Sequence, residues 1–125
     1  MINVRKMLRS FKYAVAGIIA LFRYENNARF HLVAALAVII IGLSVGLNYL
    51  DWTIILIAIG GVWAAEAFNT AVEKLCDVVS PDFHPQIKAV KDLAAAGVLI
   101  MAVIAALIGT IVFGKVILTL FPSTF

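Results

Sequence analysis

Residues 52–77 read WTIILIAIGGVWAAEAFNTAVEKLCD, and the order of residue types in that stretch decides how the chain folds. The first fourteen carry no charge; Glu66, Asn69, Glu73 and Asp77 then follow at spacings of three, four and four. After Gly61 no glycine or proline interrupts a helix until Ser80 and Pro81 stop it. The polar residues therefore continue the helix that the apolar ones begin, and they share one of its faces. Measured from Trp52, Glu66 lies ~21 Å along the axis and Glu73 ~32 Å, about one hydrocarbon thickness. The helix is expected to cross a membrane, with Glu66 inside one leaflet and Glu73 near its surface.

Composition agrees. Of 125 residues, 64% are hydrophobic and 14% charged, and the mean hydropathy is +1.08. A soluble domain of this size could not hide so much apolar surface, so lipid must be the solvent for much of it. The length fits one domain, 1–125. A single cysteine, Cys76, excludes an intramolecular disulfide and reads as a small packing residue. The net charge is +3, but the basic residues flank apolar runs and form no soluble patch. Membrane topology and anionic headgroups account for them, and nucleic acid is not an expected partner.

The rest of the chain supplies two more spans. In residues 1–28, Val4, Met7, Leu8, Phe11, Val15, Ile18, Ile19 and Phe22 form an apolar stripe, with Arg5, Arg9 and Lys12 on another face. That is the pattern of an amphipathic helix lying at the membrane surface. A signal peptide is the rival reading, but RYENN follows the apolar run and offers no small-residue cleavage site. Residues 30–47 form the first span, and its Gly42-x-x-x-Gly46 offers a close helix approach. NYLD is a turn, and Trp52 opens the second span, 52–79, as an interface anchor. The loop SPDFHPQIKAVKD follows, its end readable as the first turn of a new helix, and 92–114 is the third span. Nine of the ten basic residues lie before the first span or between the second and third. The positive-inside rule then puts the N-terminus and the 74–92 loop in the cytoplasm and the C-terminus outside.

A carboxylate inside a span costs roughly 2.5–3.5 kcal/mol on insertion scales, which a partner, a metal, water or protonation must offset. One acid could be glue between helices. Four polar groups on one stripe at an interface point instead to a site. Glu25 before the first span and Lys91-Asp92 before the third lie on the same side. Oxygen donors of this kind suit Mg²⁺ with substrate phosphates, whereas the chain has no zinc motif. A glutamate beside such a site could act as general base on a hydroxyl, in a phosphoryl transfer between a lipid alcohol and a cytoplasmic phosphate donor. A small transporter or proton-conducting oligomer, with the glutamates lining a path, is the alternative, and a scaffold glued by its polar face is a third. Gly109–Val116, GTIVFGKV, imitates a P-loop but has Val116 where a hydroxyl is needed and no strand before it.

At these residues the chain resembles a known family. Glu66-Ala-Phe-Asn69-Thr70-Ala71-Val72-Glu73 fits E-x-x-N-[ST]-A-[IV]-E and is followed by Asp77. With Lys91-Asp92, Glu25 and FKYAVAG at 11–17, it resembles the bacterial membrane diacylglycerol kinases, which include the undecaprenol kinases, over residues 11–113. Arg29-Phe30-His31 and SPDFHP look closer to the undecaprenol kinase branch. The resemblance implies an all-α homotrimer in the bacterial inner membrane, with shared active sites, that moves the γ-phosphate of MgATP to a lipid hydroxyl. It implies Glu66 as base, with Asn69 organising the site, and Glu25 and Glu73 as ligands of Mg²⁺. Tyr13, Glu25, Glu73, Asp77, Asp82, Phe83, His84, Lys91 and Asp92 are the implied nucleotide contacts. Candidate lipid contacts are Glu66, Arg29, which the positive-inside bias also explains, and Trp52, which anchoring also explains. His31 reads as a packing or interface histidine ahead of a ligand. Two departures stand out: Ala16 occupies a position that is often basic in the family, and Gly97 is shifted by one place in KDLAAAGVL.

Overall fold

The computed structural model describes residues 2–120. The start of the expected surface helix at Met1 and the end of the expected outer tail, 121–125, lie outside the described residues. The described chain is all-helical: α1 Val4–Tyr24, α2 Asn26–Val45, α3 Tyr49–Val79 and α4 Pro85–Leu120. Three of these, α2, α3 and α4, are long and apolar enough to span a membrane. Large apolar side chains such as Leu36, Phe68 and Leu99 stand exposed on them. In water such a surface would drive aggregation; in a bilayer it faces acyl chains. The chain is a multi-pass membrane protein.

Each helix end has a local cause. Asn3 caps α1, its side chain accepting from the Lys6 N–H at 3.0 Å. α1 stops at Tyr24, close to where its apolar stripe ends at Phe22, and residues 26–28, expected in the interfacial segment, belong to α2. Glu25 is extended (φ −96°, ψ 120°) and serves as C-cap of α1 and N-cap of α2. Asn26 and Asn27, which compete with the backbone for hydrogen bonds, make this junction a poor helix interior. The Glu25 side chain makes no capping bond, which leaves its carboxylate for other partners.

The two glycines of the G-x-x-x-G have separate tasks. Gly46 ends α2 in the left-handed region (φ 68°, ψ 51°), which glycine adopts without a Cβ penalty. Gly42 is buried against the ring of Trp52, and a Cβ there would come within 2.9 Å of the indole. Ala28, Ala35 and Gly42, each seven residues apart, are the buried positions of α2. Small residues at that spacing let α2 approach the Ile55, Ala58 and Val62 face of α3. A Cβ on Gly97 would meet nothing within 4 Å, so its shifted position is not used in packing inside this chain.

The turn before α3 is shorter than NYLD, because Asn48 caps the helix and Tyr49 is already helical. The Asn48 side-chain oxygen accepts from the N–H groups of Leu50 (2.9 Å) and Asp51 (3.0 Å), and its amide donates to Asp51 Oδ2 at 2.6 Å. α4 is longer than the 92–114 apolar run. Pro85 at its first position has no N–H to leave unsatisfied, and the His84 ring nitrogen Nδ1 accepts from the Gln86 N–H at 3.2 Å. At the far end α4 continues past Gly114 and brings Lys115 Nζ to 2.7 Å from both carboxylate oxygens of Asp51. The start of α3 and the end of α4 are thereby tied together.

α3 and α4 form the main antiparallel pair, with α2 and α1 packed on α3. The alternation puts Glu25, the 66–77 stretch and Lys88–Asp92 at one end of the bundle, and Asp51 with Lys115 at the other. Asp51 is 7% exposed. Replacing Lys115 by Met should therefore lower stability in detergent by about 1–3 kcal/mol, because it leaves a buried carboxylate without its cation. Adding Asp51→Asn should recover part of the loss, and thermal unfolding of the single and double variants checks both outcomes.

Candidate functional site

α3 begins its polar stripe on the face that also forms the core, with Glu66 and Asn69 buried, Glu73 half-buried and Asp77 exposed. Its buried positions run Asp51, Ile55, Ala58, Val62, Glu66, Asn69, with Thr70 beside them. Glu66 thus takes the place a core residue would occupy one turn past Val62, and it is only 2% exposed. His31 of α2 faces it, with Nε2 3.3 Å from Glu66 Oε1. The two groups touch, but the alignment falls short of a hydrogen bond, and Oε1 accepts none. Glu73 and Glu25 lie within electrostatic reach of the Glu66 carboxylate.

One turn further, the Asn69 amide donates to Glu73 Oε1 at 2.9 Å. This fixes which end of the amide is nitrogen, since only NH₂ can donate to a carboxylate. Asn69 Oδ1 is buried and accepts no hydrogen bond. Lys74 Nζ stands 3.4 Å from Glu25 Oε1 and ties the α1–α2 junction to α3. Lys91 Nζ donates to Asp77 Oδ1 at 2.5 Å and ties α4 to the same end. Glu25, Glu66, Asn69, Glu73, Asp77 and Lys91 are thus gathered at one end from the α1–α2 junction, α3 and α4.

Other expected site residues stand apart from this group. Asp92 pairs with Lys88, one turn earlier on α4. Tyr13 is exposed on α1, and Asp82 and Phe83 are exposed between α3 and α4. His84 contributes through its cap on α4. Arg29 is exposed at the start of α2, and Ala16 is exposed on α1. Trp52 packs on Gly42 at the opposite end of α3, ~21 Å from Glu66 along the axis. His31, read from sequence as packing, is the contact that was missed. Its signal was an ionisable residue in an apolar span on the same side of the membrane as Glu66.

A groove of about 290 Å³ runs between α2, α3 and α4, lined by Ala34, Val38, Ile59, Ala102 and Ala106, with His31 and Phe30 on its wall. It is almost wholly apolar. A second cleft, of about 660 Å³, separates α1 from α3 between Gly17 and Lys74.

Among the described residues no three His, Cys, Asp or Glu side chains close up on a metal position. Glu25 and Glu73 nonetheless supply carboxylate oxygens at one end, and the buried Asn69 Oδ1 beside Glu73 is an oxygen acceptor without a donor. Mg²⁺ typically uses one or two carboxylates and completes its shell with water and substrate phosphates. The residues fit that use, and not a cage made by protein alone.

Comparison with known proteins now bears on the arrangement. Residues 12–113 match the family described as prokaryotic diacylglycerol kinase. The undecaprenol kinase of Bacillus subtilis (strain 168) is 41% identical over 111 residues, 89% of this chain and 90% of that protein. A diacylglycerol kinase of Synechocystis sp. is 33% identical over 104 residues, 82% of this chain and 59% of that protein. A diacylglycerol kinase of Helicobacter pylori (strain ATCC 700392 / 26695) is 24% identical over 117 residues, 94% of this chain and 88% of that protein. The chain belongs to the prokaryotic diacylglycerol kinase family, and by that membership it is a lipid kinase.

Proposed function

We propose that the protein transfers the γ-phosphate of ATP to the primary hydroxyl of a membrane lipid, undecaprenol ahead of diacylglycerol, at the cytoplasmic face of the bacterial inner membrane. The observation that carries this reading is Glu66. It is a buried carboxylate at the membrane-facing start of an acidic stripe, in reach of Glu73 and Glu25 on the side where a nucleotide would arrive. An ion path would use the same glutamates, but family membership weighs against it, and it leaves the Asp77–Lys91 and Glu25–Lys74 ties without a purpose.

Glu66 takes the proton of the lipid hydroxyl as the lipid oxygen bonds to the γ-phosphorus. The bond from that phosphorus to the β-bridging oxygen breaks, and ADP leaves with the electron pair. Glu25 and Glu73 would hold Mg²⁺, which when bound neutralises phosphate charge. Asn69 holds Glu73 through its amide and offers Oδ1 to a donor. Lys91, at the start of α4, is placed for phosphate contact, and Asp77 orients it. Tyr13, Asp82, Phe83, His84 and Asp92 complete the proposed nucleotide contacts, with α1 lying over the site at the membrane surface and Arg29 near the lipid headgroup. The apolar groove beside His31 supports a lipid acceptor, since it offers room for hydrocarbon next to the base. A chain with so few buried residues is too small to enclose two substrates, which supports a homotrimer with shared sites.

The choice of undecaprenol rests on the Bacillus relative, whose identity exceeds that of the diacylglycerol kinases compared. Both lipids offer a primary hydroxyl and differ in their tails, which a greasy groove distinguishes by few specific contacts.

Purified protein with Mg-[γ-³²P]ATP and a panel of lipid alcohols should label undecaprenol faster than diacylglycerol. Glu66→Gln should lower turnover by roughly 10²–10⁴-fold, the usual contribution of a general base, while assembly is retained. A wild type that labels no lipid would overturn the reading. Glu73→Gln should raise the Mg²⁺ concentration for half-maximal activity by roughly tenfold or more, with EDTA abolishing turnover in both proteins. An unchanged Mg²⁺ titration would remove Glu73 from the metal.

A further inference from the structure

We propose that His31 is a positioning residue for Glu66: its Nε2–H holds Oε1 and presents the carboxylate to the lipid hydroxyl. The proposal deepens the function given above and rests on the reading of Glu66 as base. Four observations carry it. First, His31 Nε2 and Glu66 Oε1 are 3.3 Å apart across two different helices. Second, Glu66 is 2% exposed, so solvent cannot hold its carboxylate in place. Third, the lysines of this end are engaged elsewhere: Lys74 with Glu25, Lys91 with Asp77 and Lys88 with Asp92. Fourth, the depth of His31 is fixed by its own helix, because Ala28 and Ala35 on either side of it are buried at 0% and 5% exposure.

A glutamate has three rotatable side-chain bonds, and a base works only when it is within hydrogen-bond reach of the proton it takes. A third group that orients the base is the recurring solution. Here His31 offers a donor to Glu66 from α2, at the wall of the apolar groove. His31 keeps its Nε2 proton throughout. A short rotation of the ring turns the present contact into a straight hydrogen bond, and one oxygen of Glu66 is then held while the other meets the hydroxyl.

The test uses the full chain with undecaprenol and MgATP and compares His31→Leu, His31→Asn and His31→Gln. The glutamine amide nitrogen reaches about as far as Nε2, whereas asparagine falls short. His31→Leu and His31→Asn should lower kcat roughly ten- to hundredfold, the size of a lost hydrogen bond to a charged group. KM for both substrates should stay within about twofold. His31→Gln should recover most of kcat, and Glu66→Gln/His31→Leu should be no slower than Glu66→Gln alone. If His31→Leu does not assemble, the comparison of His31→Asn with His31→Gln decides. Equal kcat in the leucine or asparagine variant and wild type, equal loss in asparagine and glutamine variants, or a change confined to KM would each overturn the assignment. Absence of turnover in the wild type would instead count against the kinase reading. In that case the ¹⁵N signal of His31 Nε2, compared between wild type and Glu66→Gln, still tests the contact: a shift supports it and an unmoved signal overturns it.

Discussion

A carboxylate in the packed face of a membrane helix is the constraint around which the molecule is arranged. Glu66 stands where the sequence of Ile55, Ala58 and Val62 calls for another apolar residue, and it is nearly inaccessible. Such a group must be matched by nearby polar partners or it destabilises the bundle. The polar group that faces it from another helix is His31 of α2, in contact at 3.3 Å without a hydrogen bond, and Ala28, Ala35 and Gly42 let that helix come close. Packing and chemistry therefore share the same small-residue seam. A bulky residue in the seam would push α2 outward and would change the surroundings of the base as well as the fold.

The two ends of α3 use acidic residues in contrasting ways. At one end Asp51 is fully engaged, with the Asn48 amide and the Lys115 ammonium on its oxygens. That closed arrangement is what a structural role asks for. At the other end Glu66 Oε1 and Asn69 Oδ1 are buried and accept nothing, and three glutamates lie near one another. Native proteins leave few such atoms, and those they do leave tend to have a reason. Under the proposed function the reason would be the substrates, since unmatched acceptors suit a site whose cations and donors arrive with the nucleotide and the alcohol.

Much of this was legible in the sequence. The three apolar helices and the shared face of Glu66, Asn69, Glu73 and Asp77 follow from spacing, because 3.6 residues per turn leaves little choice once the helix is continuous. The motif around Glu66 also pointed to the family. What sequence could not supply were contacts between helices. His31 read as packing because nothing local shows which residue of α3 it meets. Asp51 and Lys115 are far apart in the chain, and only the antiparallel return of α4 brings them together. The end of α1 near residue 24 follows from its apolar stripe, which stops at Phe22, but the extended Glu25 that caps both helices does not, because the junction has no glycine or proline. The length of α4 was hidden for a different reason: its first turns, PQIKAVKD, are polar and start from the His84 cap, and at the other end Lys115 interrupts the apolar run before VILTL resumes it.

The central claim is that the acidic end of α3, and not its Asp51 end, receives the metal and nucleotide. Paramagnetic relaxation in reconstituted protein, with Mn²⁺ and a non-hydrolysable ATP analogue in place of MgATP, tests this directly. The account predicts strong broadening of the carboxyl signals of Glu25 and Glu73, weaker broadening at Glu66, and sharp signals from Asp51, Trp52 and Lys115. Broadening centred on Asp51 and Lys115, or spread evenly along the helix, would contradict it.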